Sequence, residues 1–174
     1  MTGPCFVGAD VFLYARDPRQ GAKQARAAEW IAHLWRERLG RTSVQVLSEY
    51  YVVATEKLSP RVPAQAAWDD VRALFAWKPQ PSDEALLRRA REVEERWRLS
   101  WWESLVVAAA QLQECELLLT EHLQDGAAFG DVVVRSPFKL AAEEPRARYE
   151  AVPEPRSRHR PRGRPRAVAL PAHS

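Results

Sequence analysis

The chain has 174 residues, 46% of them hydrophobic, with 26 basic against 23 acidic side chains and a formal net charge of +3. That length holds one well-buried domain with little left for a second, and no apolar run reaches the roughly 18 residues that a membrane-spanning helix needs. MTGPCFVGAD at the amino terminus lacks the basic segment and long apolar stretch of a secretory leader, and Cys5 and Cys115 are too few for a disulfide framework, so the expectation is a cytoplasmic protein with two reduced, buried thiols.

In chain order, FVGADVFLYARDP (6–18) comes first. A short apolar strand over residues 5–7 runs into a polar break at Gly8-Ala9-Asp10, the pattern of a buried strand that delivers a functional group at its carboxyl end. Ile31, Leu34 and Trp35 recur at helix spacing and predict a helix over about 21–38, stopped by Gly40. Residues 41–58 read as a brief strand followed by a helix, with Ser43 as N-cap and Val46, Leu47, Tyr50, Tyr51 and Val53 on the apolar face. After Pro60 and Pro63, Ala67, Val71, Leu74 and Phe75 mark a helix over 64–76, and 83–97 forms a charged amphipathic one. Ser100 caps SWWESLVVAAAQLQEC, a helix apolar nearly all round and therefore central. ELLLT (116–120) and DVVVRSPF (131–138) are the remaining strands. Trp30, Trp35, Trp68 and Trp77 fall in helical contexts that suit core or interface packing.

Strands separated by helices imply right-handed βαβ units and a parallel sheet, here an α/β fold with helices on both faces, a three-layer α/β/α domain over 1–138. Residues 139–174 differ in kind. They hold nine basic and four acidic residues, net +5, against 17 basic and 19 acidic, net −2, in the rest. The run RSRHRPRGRPR (156–166) cannot build a helix or a core, and disorder is the expectation for this Arg/Pro-rich tail. It reads either as a solvated extension or as a weak phosphate-binding arm.

Ligands of such sheets gather at the strands' carboxyl ends, where acidic residues are frequent. Asp10 follows the first strand, and Glu49 stands between Leu47 and Tyr50 on a helix. Glu103 opens the apolar helix, and Thr120-Glu121-His122 closes the ELLLT strand with Asp125 beyond. Each has a structural explanation. For Glu103 it is strong, because SWWE matches the capping box and a first-turn carboxylate gains about 0.3–1 kcal/mol from the helix dipole. Together, however, converging carboxylates are what hard cations such as Mg²⁺ and Mn²⁺ require.

FVGADVFLYARD, SVQVLSEYYVVATEKL, LSWWESLVVAAAQLQECELLLTEHLQDG and VVVRSPF together resemble PIN-domain proteins of the VapC-like toxin type over about residues 5–138. The resemblance implies a Mg²⁺- or Mn²⁺-dependent endoribonuclease, an antitoxin-like protein partner that covers the active site, and a homodimer, with RNA as substrate and no membrane. Exposed Trp and Tyr on the helix pair 44–76 suit that dimer. The family's first aspartate falls on Gly8, with Ala9 and Asp10 completing the triplet. Its helix glutamate matches Glu49, its third acid falls on Glu103 in place of aspartate, and its fourth falls on His122.

The implied site is therefore Asp10, Glu49 and Glu103 as catalytic and metal-binding residues, with His122 or Asp125 as further ligands. Imidazole at 122 turns the preference from Mg²⁺ toward Mn²⁺, Zn²⁺ or Fe²⁺. Were Asp10 on a regular strand, it would share a face with position 8 but lie roughly 6–7 Å along. Three readings follow: an endoribonuclease of weakened or altered metal use, a silent module that binds an antitoxin, a paralogue or RNA, or a decaying toxin gene.

Overall fold

The structure, a computed structural model, describes residues 3–139. The tail predicted from Lys139 onward lies, that residue apart, outside the described residues. The architecture is mixed α/β. Five strands among the described residues order as β2-β1-β3-β5-β4, where β1 is Cys5–Val7, β2 Gly40–Arg41, β3 Leu117–Leu119, β4 Ala128–Phe129 and β5 Val132–Arg135. Pairs β1/β2, β1/β3 and β3/β5 are parallel, and β4 joins β5 as an antiparallel hairpin at the edge. The α-helices of the same span are α1 (Ala9–Arg16), α2 (Ala22–Glu37), α3 (Val44–Val52), α4 (Ala64–Leu74), α5 (Glu84–Trp97) and α6 (Trp101–Leu112).

Every residue of β1 and β3 is buried. Since successive strand side chains point to opposite faces, both faces of the sheet are covered. Phe6, Val7, Leu118 and Leu119 are wholly inaccessible, each side chain worth about 1.5–3 kcal/mol of burial. Ala108, Ala109 and Ala110 are fully buried small residues, and they let α6 lie close against the sheet. No helix among the described residues is long and apolar enough to cross a membrane.

Local signals set the helix starts. The Ser43 hydroxyl accepts from Val46 N at 3.2 Å, and the Asp83 carboxylate accepts from Leu86 N at 3.0 Å. Ser100 and Glu103 close the full capping box. Cys5 and Cys115 are free and buried, and burial raises both thiols, Cys115 to about 12. Trp30 and Trp77 belong to the core, whereas Trp35 and Trp68 remain partly exposed.

Several boundaries differ from the sequence reading. The polar break after β1 is the start of α1, with Gly8 as its N-cap and Asp10 in its first turn. β5 stops at Arg135, and Pro137 lies beyond it. The two-residue β4 carries no periodicity that a sequence could display. Tyr50, placed on the apolar face of its helix, is 1% exposed; its hydroxyl donates to Asp70 on α4, which also pairs with Arg16 at the end of α1.

Candidate functional site

A pocket of about 190 Å³ opens at the carboxyl ends of β1 and β3. Gly8, Ala9 and Asp10 line it from the β1–α1 junction, Gln45 and Glu49 from α3, Trp102 and Glu103 from the first turn of α6, and Thr120 and His122 from the segment after β3. Four of the five expected site residues, Asp10, Glu49, Glu103 and His122, thus share one pocket. Asp125 belongs elsewhere. Its carboxylate accepts from Ser136 N at 2.8 Å and pairs with Arg135 at 3.3 Å, which fixes the chain leaving β5.

Asp10 is the most constrained member. Because α1 begins at Ala9, the Asp10 side chain does not project along a strand; it turns across to the end of β3. One oxygen accepts from Glu121 N at 2.7 Å, and the Thr120 hydroxyl lies 3.2 Å from both oxygens. The residue is 6% exposed. Burial raises the carboxyl above its ordinary range, against the opposing pull of the Glu121 N–H, the nearby His122 and the Thr120 hydroxyl. Asp10 therefore bridges the two strand ends that form the pocket floor.

Glu103 is equally committed. Its Oε2 accepts from Ser100 N at 2.8 Å, and the Ser100 hydroxyl accepts from Glu103 N at 3.3 Å. The carboxylate holds the first turn of α6 in place and is tethered to backbone at the pocket rim. Glu49 and His122 are exposed residues at the opening. Among the described residues no three His, Cys, Asp or Glu side chains converge as a group that could hold a metal ion. Mg²⁺ demands near-octahedral oxygens at about 2.0–2.1 Å, and carboxylates already turned to Thr120, Glu121 N and Ser100 N do not fit that demand as arranged.

Three contributors escaped the sequence reading. Thr120 anchors Asp10, and its place straight after a buried strand was the signal. Trp102, 68% exposed, stands at the pocket mouth one residue before Glu103. Gln45 lines the wall with its Oε1 buried and without a hydrogen-bond partner among the described residues. Glu121, beside the expected ligands, faces outward: Tyr14 OH and Lys23 Nζ donate to it at 2.9 and 2.8 Å, tying α1 and α2 to the end of β3.

No protein-family model matches this chain, and no curated protein matches it either.

Proposed function

We propose that this chain is a three-layer PIN-like domain of the VapC-like toxin type whose metal-dependent endoribonuclease chemistry is silent, and that its pocket serves to seat a segment of an antitoxin-like protein partner. The resemblance of the sequence stretches supports the family; the state of the carboxylates supports the silence. The carrying observation is that Asp10, the acid two residues beyond the first ligand position, spends its oxygens on Thr120 and Glu121 N inside the fold.

The chemistry of the pocket favours a cationic partner segment over RNA. Asp10, Glu49 and Glu103 line one pocket with carboxylates, and without a cation between them a phosphodiester meets like charge there. A basic side chain meets opposite charge instead, and the exposed Trp102 face offers it a cation–π surface. Val106 and Leu123, both half-buried in the same pocket, accept apolar neighbours of that side chain.

A cleavage assay tests this directly. The chain is incubated with a mixed-sequence RNA across a titration of Mg²⁺ and then Mn²⁺, beside Glu49→Gln. The expected result is no cleavage by either protein above the metal-only background. Mn²⁺-dependent cutting by the natural chain that Glu49→Gln abolishes would show an active nuclease and overturn the proposal.

A further inference from the structure

We infer that Gly8 and Asp10 form an interlock: the Asp10 carboxylate occupies the volume that a side chain at position 8 would take, so a side chain there must displace it. The backbone does not ask for glycine there. Gly8 sits at φ −76° and ψ 163°, extended geometry open to any residue. The restriction comes from space alone. A Cβ built on Gly8 lies 2.8 Å from Asp10 Oδ1, closer than real Cβ contacts come, and 3.3 Å from both the Leu119 carbonyl oxygen and Thr120 Cβ.

Asp10 cannot step aside freely. Its carboxylate is buried and holds the Glu121 N–H at 2.7 Å and the Thr120 hydroxyl at 3.2 Å. A side chain added at position 8 pushes it off both, leaving buried polar groups without their acceptor. An aspartate at position 8 adds a second carboxyl against the first. The consequence, which rests on the silent-site reading above, is that Gly8→Asp by itself cannot rebuild a first carboxylate. Clearing the space with Asp10→Ala lets a carboxyl at position 8 take over the vacated partners.

The test is a thermal-unfolding cycle on the full chain: natural protein, Gly8→Ala, Asp10→Ala and the double variant. The expected result is a non-additive pair. Gly8→Ala lowers Tm when Asp10 is present and lowers it much less in the Asp10→Ala background, where only the 3.3 Å contacts with Leu119 and Thr120 remain and alanine at an unstrained position restricts the unfolded chain. Gly8→Asp follows the same pattern, losing Tm alone and regaining it with Asp10→Ala. An equal loss in both backgrounds would overturn the interlock. If Gly8→Ala does not fold, a folded double variant supports it and an unfolded one overturns it.

Amide exchange at Glu121 supplies a second readout. Exchange faster in Gly8→Ala than in the natural protein, beyond any global change, is expected, and unchanged relative protection contradicts the displacement. Neither measurement involves RNA. Nuclease activity of the natural chain would remove the functional proposal and leave the interlock standing.

Discussion

Asp10 holds a carboxyl where charge is costly, and this sets a pH dependence of defined sign. Burial raises its folded value above the unfolded one near 3.8, so the native protein binds that proton more tightly than the unfolded chain does. The stability this contributes is fully present below the unfolded value and is lost as pH rises through the folded value. Urea unfolding in steps from about pH 3 to about pH 7, comparing the natural protein with Asp10→Asn, is expected to show the difference moving in the variant's favour as pH rises. A pH-independent difference would contradict it. Asp10→Ala removes the acceptor altogether, and leaving the Glu121 N–H and Thr120 hydroxyl unsatisfied is expected to cost about 1–3 kcal/mol. The sequence showed that an acid stood two residues from the expected place. It could not show that the chain turns into a helix at Ala9, because Gly8-Ala9-Asp10 reads equally as a strand break. That turn decides where the carboxylate goes.

At the scale of elements, the first turn of α6 offers the sharpest contrast. Its capping box was legible in SWWE, because the motif is local and both partners lie within four residues. Ser100→Ala is expected to cost about 0.5–2 kcal/mol in denaturant unfolding. Glu103→Gln retains a side-chain acceptor for Ser100 N and is expected to lose less than Glu103→Ala, which identifies Glu103 first as a cap. Equal losses for the two would argue that the carboxylate has another use. Elements set by distant partners were harder to read. α1 is fixed by packing on α2 and α3 and by the Arg16–Asp70–Tyr50 contact across 54 residues of sequence. β4 is defined only by its pairing with β5. Asp125 resembled a ligand because it follows His122 closely in sequence, yet the chain carries it over to the end of β5. Sequence proximity is a poor guide wherever a loop separates two strand ends.

Across the whole molecule, one core runs from the sheet into the helices while the pocket mouth stands outside it, so stability and binding should separate by mutation. Leu118 is wholly buried on β3, which lies between β1 and β5 in the middle of the sheet. Leu118→Ala removes side-chain volume from close packing, and an expected loss of about 2–5 kcal/mol should appear as one cooperative transition. Trp102 is 68% exposed at the pocket, and truncating a side chain away from core and caps usually changes stability by no more than about 0.5 kcal/mol. Trp102→Ala should therefore unfold like the natural protein. Its binding should differ. A synthetic Arg-containing apolar peptide, titrated by calorimetry, is expected to bind the natural chain more weakly as salt rises, because the attraction comes from the pocket's carboxylates, of which Glu49 is exposed at the opening. Binding should weaken further in Trp102→Ala and in Glu49→Gln while the unfolding curves stay superimposed. Were Trp102→Ala to lose stability on the scale of Leu118→Ala, the indole would belong to the core after all, and the pocket would lose the surface on which a partner segment is proposed to rest.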